Sequence, residues 1–332
     1  MNTSPENASS SIDSVSVIVP VFNGATTLPE LTDRILKVFS GKGREFEIVF
    51  VNDGSADNSW TVICELAQAH DCVVGLNFMR NYGQHDALLA GIRAARFGVI
   101  VTIDDDLQHP PEVIPRLLHK LEEGYDVVYG TPEKEQHGLL RDIASVVTKL
   151  TLRDAVGIDI APQTSSFRAF RSAVRRAFAD YCGPFVDIDA LLSWGTSSFG
   201  AVRVRHDPRR DGRSSYTFRK LVGYTINMMT CFSIVPLRVA SLIGFIFSLF
   251  GFGVLVYVLV RFFIEGGSVP GFPFLASIIT LFSGAQLVSL GVIGEYLARM
   301  HFRSMGRPTG VIRDTTGVYA PKPYGCEFPQ DS

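Results

Sequence analysis

The sequence lacks the common glycine-rich motifs for binding phosphate. Neither G-x-G-x-x-G after the first predicted strand nor G-x-x-x-x-G-K-[ST] occurs in its N-terminal half, which counts against a dinucleotide-binding domain and a P-loop. The net charge is only -2, so the strongly basic surface of a nucleic-acid-binding protein is missing, and we expect no nucleic-acid partner. The five cysteines include no C-x-x-C pair, so we predict neither a zinc site nor a disulfide framework, and a reducing compartment fits.

Long apolar runs are confined to one part of the chain. Hydrophobic residues make up 46% of the 332 residues, and their excess lies mostly after Val235. Residues 239–260 and 266–294 contain no charged side chain, and each run exceeds the roughly 20 residues that span a bilayer as a helix. We therefore predict two transmembrane helices, near 239–261 and 273–297.

Arginine is distributed unevenly about these two helices. The arginines near the outer ends of the predicted pair are Arg209, Arg210, Arg213, Arg219 and Arg238 before the first helix, and Arg299, Arg303 and Arg307 after the second. The connecting loop offers almost none, so the positive-inside rule places the N-terminal domain and both termini in the cytoplasm of an integral, two-span protein. Residues 1–13 read as a disordered tail, and 298–332 as a cytoplasmic C-terminal tail.

The segment between the soluble part and the first apolar run is amphipathic. Its apolar residues fall on one helical face: Phe218, Leu221, Val222, Thr225, Met228, Met229 and Phe232. Residues 217–238 are therefore predicted to lie in the membrane interface. An ordinary helix packed on the soluble domain is the alternative.

The first half of the chain alternates between strands and helices. The predicted strands are 14–22, 46–51, 73–77 and 99–103, and the helices between them are 28–39, the segment up to His70, and 86–95. This alternation predicts an α/β fold with a parallel, doubly wound sheet. Further strands are predicted at 126–130, 165–170 and 202–206, helices at 142–151 and 171–181, and a mobile loop at 131–141.

Three consecutive acids end the fourth predicted strand. Asp104, Asp105 and Asp106 precede a Pro-Pro-Glu helix start, at the strand end where open α/β sheets bind ligands. Because neighbouring carboxylates repel one another unless a cation lies between them, we predict a divalent metal held by oxygen ligands. If the strand persists, Asp104 and Asp106 point to one side and Asp105 to the other. A solvated acidic turn that caps the helix at Pro111 is the alternative.

A very basic turn follows the last predicted strand. Arg205, Arg209, Arg210 and Arg213 lie in or next to the segment 207–216, close to the first apolar run. Arginine side chains grouped in this way can bind a phosphate group. Anchoring to anionic lipid is the alternative.

Six short motifs together resemble one family. They are Val19-Pro-Val-Phe-Asn23, Asn52-Asp-Gly-Ser-Ala-Asp57, Arg80-Asn-Tyr-Gly-Gln84, Asp104-Asp-Asp-Leu-Gln108, Gly212-Arg-Ser-Ser-Tyr216 and Ser233-Ile-Val-Pro-Leu-Arg238. In this order, and with the paired membrane helices, they resemble the glycosyltransferase family 2 enzymes that make polyprenyl-phosphate sugars. The likeness covers about residues 14–310.

The resemblance implies a GT-A catalytic domain over 14–216 and a defined set of site residues. Asp104, Asp106 and Gln108 match the Mg²⁺ or Mn²⁺ site, and Asp53 matches the residue that reads the nucleotide base. The expected donor-binding residues are Pro20, Phe22, Asn23, Asp53, Arg80, Gln84, Asp104 and Asp105. The expected acceptor-phosphate residues are Arg205, Arg209, Arg213, Ser214 and Tyr216. We expect Asp104, Asp106 and Arg209 to be catalytic.

Several positions depart from the family's pattern. Gly24 stands where an acid is common, Asn52 replaces the first acid of D-D-G-S, His206 replaces an arginine, and Ser215 replaces a common lysine. The G-D-F-R segment reads Ser165-Ser166-Phe167-Arg168, so an aspartate sometimes proposed as a base is missing. Asp187 and Asp189 are candidates to supply a carboxylate, or they cap the helix that follows.

The implied reaction moves a sugar from a nucleotide sugar to polyprenyl phosphate with inversion at the anomeric carbon. A phosphate monoester has a second pKa of about 6 and is already nucleophilic at neutral pH, so a general base is dispensable. The expected partners are a nucleotide sugar, polyprenyl phosphate (undecaprenyl or dolichyl) and membrane lipid. We also expect a homo-oligomer in a bacterial inner membrane that serves cell-envelope glycan modification or protein glycosylation.

Other functions fit parts of this pattern. A processive polysaccharide synthase would carry Q-x-x-R-W, but Trp60 and Trp194 lie in no such motif. A transferase with a soluble acceptor and a passive anchor would not need the basic turn at the membrane. A lipid-binding scaffold or flippase subunit would not need the three acids Asp104, Asp105 and Asp106, which form a D-x-D motif.

Overall fold

The computed structural model describes residues 12–41, 43–132, 165–183, 185–205, 230–231, 233, 235–265 and 271–317. These residues form one mixed sheet with helices on both faces, followed by two long helices. The strands are β1 (Ser14–Val21), β2 (Glu45–Asn52), β3 (Val73–Phe78), β4 (Val99–Thr102), β5 (Val127–Pro132), β6 (Arg168–Arg171), β7 (Phe199–Val204) and β8 (Ile312–Thr316). The helices are α1 (Leu28–Phe39), α2 (Ser59–Ala69), α3 (Gln84–Ala94), α4 (Ile114–Glu122), α5 (Ile188–Gly195), α6 (Val235–Glu265) and α7 (Phe272–Ser304).

The strand order is β7-β5-β6-β4-β1-β2-β3-β8. Strand β1 is parallel to β2 and β4, β2 to β3, and β5 to β7, whereas β6 and β8 run antiparallel to their neighbours. The parallel strands therefore end on one edge of the sheet, and β6 begins on that edge. The predicted α/β class and mostly parallel sheet are confirmed.

Both faces of the sheet are covered because the inner strands are apolar on both sides. Val17 and Val19 of β1 belong to the apolar cluster with α1, whereas Ile18 packs on the opposite face with α3. Helix α1 buries Leu28, Leu31, Thr32, Ile35, Val38 and Phe39, a helical spacing that faces the sheet. Each large apolar side chain buried in this way stabilises the fold by about 1.5–3 kcal/mol.

The C-terminal segment is not only a tail, in contrast to the prediction for 298–332. Helix α7 continues to Ser304, and β8 pairs antiparallel with β3 at the edge of the catalytic sheet. Gly310 lies against the Phe78 ring, which leaves little room for a side chain at that position. Strands that precede and follow the two long helices in the chain therefore belong to the same sheet.

The two apolar helices extend past their predicted bounds of 239–261 and 273–297. Their candidate membrane spans are Val235–Arg261, with a mean hydropathy of 2.5, and Leu281–Ser304, with 1.3. The helices contact each other through Phe282, whose ring lies 5.7 Å from that of Phe247 and 6.3 Å from that of Phe250. The described part of the interfacial segment 217–238 is too short to test its amphipathic helix, but its last residues begin α6.

Two further predictions differ from the structure. The predicted helix 171–181 is a short 3₁₀ helix at Ser172–Ala177, in which Arg175 donates to the carbonyl oxygens of Ile92 and Ala95 at the end of α3. Cys182 is disulfide-bonded, whereas the absence of a C-x-x-C pair led us to predict no disulfide framework. The predicted helix 142–151 and most of the loop 131–141 lie outside the described residues.

Candidate active site

A gap between β1 and β4 opens the edge where the parallel strands end. The last ladder bond here runs from the Ile103 amide to the Ile18 carbonyl, at 3.1 Å. Pro20 has no N–H to continue the ladder, so the two strands separate beyond this point. Pro20 itself is buried within β1, whereas Phe22, just past the strand, is 53% exposed. Of these two predicted donor residues, Phe22 is the one at the open surface.

The three acids lie in this gap, in a tight turn. Strand β4 ends at Thr102, so the alternation expected for a persisting strand does not apply. Leu107 has a φ of 59°, a left-handed conformation that costs free energy for a leucine and is compensated by burial of its side chain. The carboxylate of Asp106 accepts a hydrogen bond from the backbone amide of Gln108 at 3.1 Å. No side chain caps the short helix Pro111–Val113, so helix capping does not explain the acids.

Asp105 crosses the gap to the end of β1. Its carboxylate accepts the Phe22 amide at 3.2 Å and occupies the space beside Gly24. A side chain at position 24 would collide with that carboxylate. The glycine that departs from the family pattern thus lies against Asp105, whose carboxylate would have to move to admit a side chain.

Asp104 is held by two neighbouring side chains. Gln84 donates to one carboxylate oxygen at 2.7 Å, and the Ser166 hydroxyl donates to the other. Ser166 is fixed by Thr102, whose hydroxyl donates to the Ser166 carbonyl at 2.6 Å. Burial raises the pKa of the Asp104 carboxyl, and the Ser166 hydrogen bond partly offsets that rise. An aspartate in place of Ser166 would put a second negative charge against Asp104, whereas the serine supplies a donor.

Asp53 is buried and holds the loop that leads into α3. It accepts the backbone amides of Tyr82 at 2.7 Å and Gly83 at 2.9 Å. Burial raises its pKa, and the two amide bonds partly offset the rise. Gly54, with a φ of +64°, lies so close to the backbone of Arg80 that no side chain fits. Asp53 thus positions the loop that leads into α3. Its contact with the nucleotide base stays a prediction.

A second, half-buried acid, Asp86, lies near Asp53. Burial, with the charge of Asp53 as the next cause, raises the pKa of Asp86 to about 7. Arg80 is exposed in the loop before α3, with its guanidinium 4.4 Å from the centre of the Tyr82 ring. Our sequence analysis missed Asp86, whose only signal was an acid in the first turn of a predicted helix.

The loops after β1 and β2 are joined by two hydrogen bonds. The Asn23 side-chain oxygen accepts the backbone amide of Ala56 at 2.9 Å. The backbone amide of Asn23 donates to the Ser55 hydroxyl at the same distance. Asn23 also has a positive φ of 55°, which asparagine tolerates better than most residues. Its side chain therefore shapes the rim, and a direct contact with the donor stays a prediction.

Asn52 belongs to a polar chain that reaches the C-terminal strand. It donates to Asn77 at 2.8 Å, and Asn77 donates to Asp314 at 3.1 Å. A carboxylate accepts only, so Asp314 fixes the orientation of both amides. Asn52 is thus linked through Asn77 to Asp314 on β8, a connection that the sequence could not reveal.

A fully buried arginine lies behind Asp104. Arg168 is 1% exposed and forms an ion pair with Asp189, which also accepts the Tyr129 hydroxyl at 2.9 Å. Burial raises the pKa of Tyr129 well above its usual value, so this hydroxyl keeps its proton. Asp187 accepts the Ala190 amide at 2.9 Å, which confirms the alternative that it caps the following helix. Asp189 is occupied by Arg168 and is a poor candidate for a general base.

The basic turn is described only at its start. Arg205 is exposed and directly follows β7, on the edge of the sheet where the acids lie. The other predicted acceptor residues, Arg209, Arg213, Ser214 and Tyr216, lie outside the described residues, as does Arg210.

The turn from Asp104 to Gln108, called the acid loop below, has the chemistry of a site for a hard divalent cation. Asp104, Asp106 and Gln108 offer carboxylate and amide oxygens. No group of three His, Cys, Asp or Glu side chains with ligand-like placement occurs among residues 12–317 where the structure describes them. Mg²⁺ typically takes only one or two carboxylates together with substrate phosphates, so a closed protein cage is not required. The residues present fit such an ion.

Comparisons with known proteins agree with this geometry. A family model for glycosyl transferase family 2 matches residues 16–180. The undecaprenyl-phosphate 4-deoxy-4-formamido-L-arabinose transferase of Shewanella sediminis is 35% identical over 306 residues, which are 91% of this chain and 92% of that protein. The Proteus mirabilis transferase of the same name is 34% identical over 313 residues, which are 93% and 96% of the two chains.

A solved structure shares the fold at lower identity. Glucosyl-3-phosphoglycerate synthase from Mycobacterium tuberculosis, in complex with Mn²⁺, UDP-glucose and phosphoglyceric acid, superposes with a TM-score of 0.50 at 16% identity. The match covers 68% of this chain and 80% of that one. At this identity the likeness concerns the fold alone, which is the predicted GT-A fold. Taken with the two transferases, the chain belongs to glycosyltransferase family 2, among its polyprenyl-phosphate glycosyltransferases.

Proposed function

We propose that this enzyme transfers a sugar from a nucleotide sugar to undecaprenyl phosphate, with inversion at the anomeric carbon. The observation that carries the proposal is the acid loop at the open edge of the sheet, in a domain joined on both sides to a pair of apolar helices. The relatives are named for transfer to undecaprenyl phosphate. Their sugar, 4-deoxy-4-formamido-L-arabinose, is the first candidate to test.

We propose that Asp104, Asp106 and Gln108 hold Mg²⁺ or Mn²⁺. When bound, this ion supplies charge that neutralises the diphosphate leaving group. Gln84 and Ser166 orient the Asp104 carboxylate, and Asp105 keeps the β1 loop at the gap. The arrangement is preorganised because each of these groups is already hydrogen-bonded.

The reaction needs no proton transfer. An oxygen of the dianionic acceptor phosphate forms the new bond to the anomeric carbon, while the bond from that carbon to the nucleoside diphosphate breaks. The leaving group departs with the electron pair, so the charges balance without a base. The occupation of Asp189 by Arg168 and the serine at position 166 are both compatible with this mechanism.

We predict that Arg209 holds the acceptor phosphate. Arginine can bind phosphate with two parallel hydrogen bonds, which lysine cannot reproduce although it keeps the charge. Arg209→Lys should therefore lose part of the transfer activity and Arg209→Ala most of it, about tenfold to a hundredfold. The defect should appear in the dependence on undecaprenyl phosphate, measured by steady-state kinetics.

The matched control for Arg209 is hydrolysis of the donor without acceptor, which should survive both changes because the metal ligands are intact. Normal transfer by Arg209→Ala would remove the assignment. A change confined to donor affinity would do the same and leave lipid anchoring as the role of the turn.

We propose that the catalytic domain and both termini are cytoplasmic. The arginine asymmetry supports this orientation, as does the return of β8 to the catalytic sheet. A single cysteine at Ser332, in a chain whose other cysteines are replaced, should resist an impermeant thiol reagent in intact cells and react after lysis. Labelling in intact cells would reverse the orientation. The homo-oligomer stays a prediction, testable by mass measurement in detergent.

A further inference from the structure

His85 lies in the first turn of α3, beside the acid loop. It follows Gln84, whose side chain contacts Asp104, and its ring is only partly buried. On its other side the ring reaches the start of α5, where the Ile188 amide donates to His85 Nδ1 at 3.2 Å. The imidazole lies near the carboxylates of both Asp104 and Asp189. It therefore lies between the predicted metal ligands and the buried ion pair.

The contact with Ile188 determines which nitrogen of the neutral ring carries the proton. A nitrogen that accepts a hydrogen bond carries no proton, so the proton of the neutral imidazole is on Nε2. The Nε2–H group is a hydrogen-bond donor on the opposite side of the ring from α5. Within the described residues, no protein acceptor receives a hydrogen bond from it, and it is not one of the enclosed polar atoms. A donor with a fixed direction thus stands beside Asp104.

We propose that His85 is a donor-substrate residue whose Nε2–H group donates a hydrogen bond to an oxygen of the bound nucleotide sugar. This inference rests on the proposed function, because Asp104 defines where the donor lies. Two kinds of oxygen have the required chemistry, a sugar hydroxyl and a phosphoryl oxygen of the diphosphate. Either would give the Nε2–H group the acceptor that it lacks in the described residues.

Two substitutions separate this role from a purely structural one. The amide nitrogen of glutamine can stand near the position of Nε2, whereas the carbonyl oxygen of asparagine can stand near Nδ1 and accept the Ile188 amide. We expect His85→Gln to keep kcat/KM within about tenfold of the wild type. We expect His85→Asn to remain folded but to lose about tenfold to a hundredfold, the effect of one hydrogen bond to a polar or charged group.

The proposal would be overturned if His85→Asn were more active than His85→Gln. If His85 serves only to hold α5, His85→Asn keeps its activity, and His85→Gln loses both activity and melting temperature. Equal losses in the two variants, or no loss in either, would also overturn it, because neither depends on a donor at Nε2.

Binding measurements on His85→Asn identify the oxygen. Weaker binding of the intact nucleotide sugar with unchanged binding of its nucleoside diphosphate supports the sugar hydroxyl, and weakening of both supports the phosphoryl oxygen. Unchanged binding of both ligands, together with unchanged turnover of the nucleotide sugar, contradicts the proposal. A failure of the proposed function would look different, because the wild type itself would then bind and turn over no nucleotide sugar.

Discussion

Asp106→Asn is expected to abolish sugar transfer while leaving the fold intact. Asparagine keeps an oxygen that can accept the Gln108 amide, so the turn retains its hydrogen bond. It removes the negative charge that holds the divalent cation. Loss of the cation forfeits several kcal/mol of leaving-group stabilisation, which corresponds to about a thousandfold in rate.

The measurement is transfer of labelled sugar to undecaprenyl phosphate, with the melting temperature in detergent as a check on folding. Asp71→Asn is the matched control, because Asp71 is exposed just before β3 on the opposite edge of the sheet. That variant should transfer normally. Full activity of Asp106→Asn, or of the wild type in excess EDTA, would rule out the proposed metal site.

Arg168→Met is expected to cause the largest loss of stability. Removing one partner of a buried ion pair leaves the other charge uncompensated, which typically costs about 3–5 kcal/mol. Here the group left without its cation is Asp189, which would keep the hydrogen bond from Tyr129. Transfer should fall as well, because the positive charge behind Asp104 is lost.

A double-mutant cycle tests this account of Arg168. Combining Arg168→Met with Asp189→Asn removes both charges, so the double variant should be less destabilised than the sum of the single variants. The free energy of unfolding of the detergent-solubilised protein is the quantity to compare. Strict additivity, or a cost below about 1 kcal/mol for Arg168→Met, would show that the pair does not stabilise the fold.

The sequence predicts those features of the fold that depend on local pattern. Helix α1 has the bounds expected from its apolar spacing, and the acids lie at the end of β4 because a β-branched run stops there. The pairing of β8 with β3 could not be predicted, since it joins segments more than 200 residues apart and β8 consists mostly of polar residues. The 3₁₀ segment at Ser172–Ala177 was misread because Arg175 binds carbonyl oxygens of α3, a tertiary contact.

The site shows the same division. Motif order identifies Asp53, Asp104 and Asp106 as important, but it does not reveal that Asp53 is occupied by two backbone amides. Arg168 is part of a family motif, but the sequence does not reveal that its side chain is buried. Its partner Asp189 is 21 residues away and could only be assigned once the helix that carries it was placed.

The measurement that tests the central claim most directly is product analysis with the purified full-length protein. The protein is incubated in detergent with undecaprenyl phosphate and a panel of labelled nucleotide sugars, with Mg²⁺, with Mn²⁺ or with EDTA. The account predicts a lipid-extractable product that carries one sugar, forms only with acceptor and divalent cation, and has the anomeric configuration opposite to that of the donor. A polymer, a product that forms equally in EDTA, or no lipid-linked sugar from any donor would contradict it.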